Sequence, residues 1–167
     1  MASTAAALVL AAACGEQPLR PGDAIGTMRL SSRGESAPAI WQHCYPAFPE
    51  APSARSTACN VPPVTRLAVG PGLRATSDEL RRSAWSATEW ELFIDGRRVD
   101  LAAFGTSDAD AEPPLAKRRG WDVQLERPTP GSHSLRIVLV RKEAVSDGLR
   151  TAPAGRYELV VNFTLGQ

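Results

Sequence analysis

Beyond residue 87 the chain alternates apolar and polar positions, the period-two pattern of strands with one buried face. The sharpest case is TEWELFIDGRRVDLAAF, where Asp95-Gly96 separates two alternating runs. That dipeptide suits a type I′ turn, which needs positive φ at both central positions. A two-residue turn there sets Ile94 against Arg97, Leu92 against Val99 and Trp90 against Leu101. Trp90, Leu92, Ile94, Val99 and Leu101 then share one face, and Glu91, Arg98 and Asp100 the other. Further on, Trp121, Val123 and Leu125 alternate with Asp122, Gln124 and Glu126, which predicts another half-buried strand. Pro128-Thr129-Pro130-Gly131 reads as a turn, followed by a strand from Ser134 to Arg141 with apolar residues on both faces. After Pro153-Ala154-Gly155, the residues Tyr157, Leu159, Val161, Phe163 and Leu165 mark a last alternating strand.

The pattern is weaker toward the N-terminus. Ile25 to Leu30 predicts a first strand, and Val64 to Val69 a second, closed by Gly70-Pro71-Gly72. Between them, residues 34–63 read as a proline-rich loop holding Trp41, His43, Cys44, Tyr45, Phe48 and Cys59. One short helix is predicted where Thr76 and Glu79 form a capping box, with Leu80 and Ala84 facing inward. Short strands joined by turn residues, with almost no helix, indicate a mainly β protein built as an antiparallel β-sandwich. The turn-and-strand spacing from Val64 to Leu165 resembles that of secreted immunoglobulin-like and fibronectin-III-like modules. That resemblance implies a fold class and no particular activity.

Composition narrows the function classes. A chain of 167 residues, 43% of them hydrophobic, suits one domain with its own core. The formal net charge of +1 makes no electrostatic case for nucleic acid. Lys117 and Lys142 are the only lysines, so the positive charge is nearly all arginine. Two histidines, His43 and His133, limit metal and acid–base chemistry. No phosphate-cradling glycine loop or dinucleotide fingerprint occurs, and no cofactor is expected.

Ala5 to Ala13, AAALVLAAA, is far shorter than the about 20 apolar residues that span a bilayer. It fits the apolar region of a signal peptide, and Ala11 and Ala13 place a cut just before Cys14. Leu10-Ala11-Ala12-Ala13-Cys14 also resembles the cleavage box of bacterial lipoproteins. In that family the cysteine receives lipid and becomes the first residue of the mature chain. The expected organisation is a signal peptide over 1–13, a tether over 14–24 and a single β-sandwich domain over 25–167. The expected location is exported: anchored to the cell membrane by lipid, or periplasmic or extracellular.

The three cysteines fit this reading. With Cys14 lipidated, Cys44 and Cys59 remain free to form one disulfide across a segment with little core of its own; the rival is two buried, reduced thiols. His43, Cys44 and Cys59 make a weak soft-metal set without zinc-like spacing, so no metal is expected. Asp108-x-Asp110-x-Glu112 echoes a calcium loop, but Pro113 occupies the place of the turn glycine. A solvated acidic loop facing Lys117-Arg118-Arg119 is the plainer expectation. Asn162-Phe163-Thr164 matches the glycosylation sequon inside a predicted strand.

For nucleophilic catalysis, Ser132-His133-Ser134 sets serines beside a histidine, yet neighbours on a strand point to opposite faces and no G-x-S-x-G is present. No catalytic residue is therefore assigned. The leading expectation is a non-enzymatic binding or accessory module of the bacterial cell envelope, with an envelope protein as partner and the membrane reached only through lipid. The alternative is a carbohydrate-binding module using Trp41, Tyr45 and Trp85, since loop aromatics can stack on sugars or anchor a partner. A third reading, a hydrolase with His133 as base, stands behind these.

Overall fold

The computed structural model describes residues 16–32, 37–44 and 48–166. Along the chain run strands β1 (Ala24–Ile25), β2 (Met28–Ser31), β3 (Ala54–Val61), β4 (Arg66–Ala68) and β5 (Gly72–Ala75), then helix α1 (Asp78–Ser86). There follow β6 (Thr88–Ile94), β7 (Arg97–Val99), β8 (Thr106–Asp110), β9 (Lys117–Trp121) and β10 (Gln124–Glu126). The last four are β11 (Gly131–Arg141), β12 (Val145–Ser146), β13 (Thr151–Ala152) and β14 (Gly155–Leu165). The protein is mainly β, as the alternation implies. Its largest sheet has the order β3-β14-β11-β6-β7, and a second has the order β1-β2-β10-β4. A three-stranded sheet, β5-β9-β8, and the β12–β13 hairpin complete it.

The long strands obey the predicted register. In the β6–β7 hairpin Leu92 faces Val99 and Ile94 faces Arg97, with φ of 48° at Asp95 and 80° at Gly96. The pair expected between Trp90 and Leu101 does not form, because the chain leaves the strand for a short 3-10 helix, Leu101–Ala103. An N-terminal segment takes that edge instead. Leu19 donates its N–H to the Arg98 carbonyl at 2.7 Å and accepts from the Asp100 N–H at 2.8 Å. Leu19 is fully buried, so the fold begins inside the stretch expected to be a tether.

Other expectations need correction. The strand expected from Ile25 to Leu30 is a tight β1–β2 hairpin turning at Gly26, whose φ is +60°. The alternation from Trp121 to Glu126 is real, with Val123 and Leu125 buried, but the chain changes sheet within it, from β9 to β10. The proline-rich loop contains β3, which runs parallel to β14 over eight residues from Ala54–Glu158 to Val61–Leu165. Its sequence, ARSTACNV, offers few apolar residues to alternate; pairing with β14 makes it a strand. The cap of α1 is Ser77, whose hydroxyl accepts from the Leu80 N–H at 3.3 Å. Thr76, expected in that role, donates its N–H to the Asp147 carbonyl.

One apolar cluster joins the two larger sheets. Leu92, Ile94, Leu135, Ile137, Leu159 and Val161 of the largest sheet pack in it with Met28, Leu30, Leu67 and Leu125 of the second. Each such side chain, fully buried, contributes about 1.5–3 kcal/mol. Arg81, not Leu80, is the buried partner of Ala84 on α1. Its guanidinium meets Asp108 on β8 at 2.6 Å and Asp78 at 3.1 Å, fastening the helix to the three-stranded sheet.

At Gly70, where the chain passes from β4 toward β5, a Cβ would collide with the Trp121 carbonyl oxygen and crowd the Val123 N–H. The obstruction is backbone on both sides, so neither neighbour can rotate away. A Gly70→Ala substitution is therefore expected to lower stability by about 2 kcal/mol or more, read as a lower urea midpoint.

Candidate functional site

His133 lies near the start of β11, in register opposite Phe163 of β14. Its ring stacks on Phe163 with centroids 5.4 Å apart. Nδ1 meets Asp95 Oδ2 at 2.8 Å, and the second carboxylate oxygen of Asp95 accepts the Ser134 N–H at 2.8 Å. Asp95 also donates its own N–H to the Ser134 carbonyl at 2.9 Å. On the far side of the ring, Nε2 lies 2.8 Å from the Thr129 carbonyl and 3.3 Å from the Thr129 hydroxyl.

This arrangement decides what His133 can do. Nδ1 is engaged by Asp95 and Nε2 by Thr129, so both ring nitrogens are held by the fold itself. Ser132 and Ser134 flank the histidine on a regular strand and point away from it. The side chain of His133 is 9% exposed, at the edge of a surface depression it shares with Asp95, Asn162 and Cys59. His133 acts as a brace between the Asp95 turn, the Thr129 turn and β14. The sequon residue Asn162 lies on β14, where its amide donates to the Ser56 hydroxyl at 3.3 Å.

Of the candidate residues, Trp41 and Trp85 are each engaged by the protein itself. Cys14 and Tyr45 lie outside the described residues. Trp41, in a short 3-10 helix, is half-buried against the core and donates from Nε1 to the Gly70 carbonyl at 3.4 Å. Trp85 projects from α1 into a cluster with Trp90 of β6 and Trp121 of β9, with centroids at 5.6 and 5.4 Å. The Arg119 guanidinium lies 5.4 Å from the same ring. Trp85 thus joins helix, large sheet and small sheet, and its faces are occupied.

The cysteine set is spent as well. Cys44 and Cys59 are joined in a disulfide with Cα atoms 5.4 Å apart, so neither sulfur is a thiolate available to metal. The expected acidic loop is the β8–β9 hairpin. Asp108 meets Arg81 and Arg119, and Asp110 accepts from Lys117 at 2.7 Å. That hydrogen bond, with the charge of Lys117, holds the exposed Asp110 carboxyl below the usual carboxylate range.

One feature escaped the sequence: a groove of about 480 Å³ lined by residues from six segments, among them Phe48, Leu73, Trp90, Leu139 and Val145. Only Leu139 and Trp90 of these carried a strand signal, and nothing in the sequence joins them to the others.

Asp95 carries the brace. Asp95→Ala removes both carboxylate bonds and is expected to cost about 2–3 kcal/mol, while Asp95→Asn, which tolerates the positive φ, costs about 1 kcal/mol. Urea unfolding of these variants and of His133→Ala reads the effect. Combined with Asp95→Ala, His133→Ala should add less than its single-variant cost, and full additivity would refute the coupling.

No protein-family model and no curated protein matches the chain. Among solved structures, a chain from the complex of PbICP-C with falcipain-2 is similar at 10% identity and a TM-score of 0.37. The match covers 72% of this chain and 95% of that one. Likeness at that level carries no argument about fold or function.

Proposed function

We propose that the chain is an exported, non-enzymatic binding module of the bacterial cell envelope, lipid-anchored at Cys14 and engaging a protein partner. The Cys44–Cys59 disulfide carries this reading. Disulfides persist in oxidising compartments and are rare in the cytosol. This one fastens the segment after the Trp41 turn to β3, an edge strand whose own sequence holds it poorly. Pairing those two cysteines leaves Cys14 as the odd one, at the position where the lipoprotein-like box places a lipid.

The brace at His133 supports binding over catalysis, since the histidine's hydrogen-bonding capacity is consumed by the fold. Carbohydrate recognition draws on Trp41 and Trp85, and both rings are engaged by the protein itself.

Two measurements test the reading. Mass spectrometry of protein from its native host should find a mature chain beginning at Cys14 with added acyl mass; intact Met1 on the native protein would refute export. Cys44 and Cys59 are 15 residues apart, and closing a loop of that size stabilises by about 3 kcal/mol. A Cys44→Ser, Cys59→Ser double variant should lose about that much in guanidinium unfolding, and reductant should affect the native chain alike.

A further inference from the structure

We infer that the groove between the large sheet and the β12–β13 hairpin binds a small organic carboxylate with an apolar body. Its floor is the cross-strand pair Leu139 and Trp90, and Leu73, Phe48 and Val145 form half-buried walls. The volume, about 480 Å³, lies in the range of small-molecule sites.

The charges around it are unbalanced. Five charged residues line the groove: Glu50, Arg74, Arg141, Asp147 and Arg150. Glu50 and Arg150 neutralise each other at 2.7 Å. Asp147 is turned into its own loop, where one carboxylate oxygen accepts the Leu149 N–H at 2.7 Å and the Arg150 N–H at 2.8 Å. Arg74 and Arg141 have no carboxylate partner among the described residues. Arg141 lies over the Tyr157 ring at 4.4 Å. Apolar walls and two arginines without a carboxylate partner match an anionic head group on an apolar body. The Glu50–Arg150 pair links the loop at Phe48 to the hairpin, so the groove has charge-paired sides.

This assignment gives the binding-module reading a site and a ligand class, and rests on it only in treating the groove as a place of binding. The probe is 1-anilinonaphthalene-8-sulfonate, titrated by fluorescence into the full chain alongside its uncharged counterpart, N-phenyl-1-naphthylamine. The sulfonate should saturate at one per chain, decanoate should displace it, and decanol should not. Arg141→Gln should weaken it about tenfold and Arg74→Gln several-fold, the loss of a charge-assisted bond. Arg29→Gln, on an exposed position of β2, should leave it unchanged. Circular dichroism checks that each variant is folded, and Arg74→Gln, at an exposed site, guards against an Arg141 variant that is not. Absence of saturation overturns the inference, as does binding that neither groove arginine affects, or uncharged dye that binds as tightly. Failure here in a chain that carries its disulfide and lipid removes the groove's ligand and leaves the exported-module reading standing. A native chain beginning at Met1 removes the export reading and leaves the groove's ligand untouched.

Discussion

The antiparallel pairing of β11 with β14, in register from Gly131–Leu165 to Arg141–Gly155, is the constraint on which the rest of the molecule depends. Along it Leu135, Ile137 and Leu139 face Val161, Leu159 and Tyr157, and all six are buried. Side chains alternate with period two, so a slip of one residue would turn that whole set to solvent and bring Arg136, Glu158 and Asn162 into the core. The difference between the apolar face and the face carrying Arg136, Glu158 and Asn162 therefore holds the register more firmly than hydrogen bonding, which any register could satisfy.

Asp95 reinforces the same alignment from the neighbouring strand. It occupies a positive-φ turn position, and its carboxylate reaches across to the Ser134 N–H and to His133. A turn residue thereby fixes β6 against β11 just where β11 begins its apolar run. With those strands aligned, β14 offers a free edge on which β3 can pair, and the disulfide ties β3 to the segment near Trp41. At the other end of the sheet, Leu139 and Trp90 emerge as neighbours beyond the cover of the second sheet. The groove exists because the β12–β13 hairpin and the Phe48 loop stand around that pair.

What could be read in advance followed the strength of each local pattern. The β6–β7 hairpin was legible because turn chemistry and alternation impose the same register independently. The final strand was legible because five apolar residues recur at every second place. β3 was not, since an edge strand with one inward face needs few apolar residues and ARSTACNV hardly alternates. The cap of α1 was misplaced by one residue: Thr76 and Ser77 are chemically equivalent caps, and only the bond from Thr76 to Asp147 decides between them. Arg81 was invisible as a core residue because a buried arginine depends on carboxylates from other segments, here Asp78 and Asp108.

The sequence alone determined the mainly β class, the DG turn and the inward faces of β6 and β14, because these rest on interactions between residues near in the chain. Tertiary structure decided everything that needs distant partners. It made His133 a brace, buried Leu19, gathered Trp85, Trp90 and Trp121, paired Cys44 with Cys59, and set Arg74 and Arg141 around one groove. Periodicity records which face of an element is apolar. It does not record what that face will meet, and the chemistry of a site is the chemistry of that meeting.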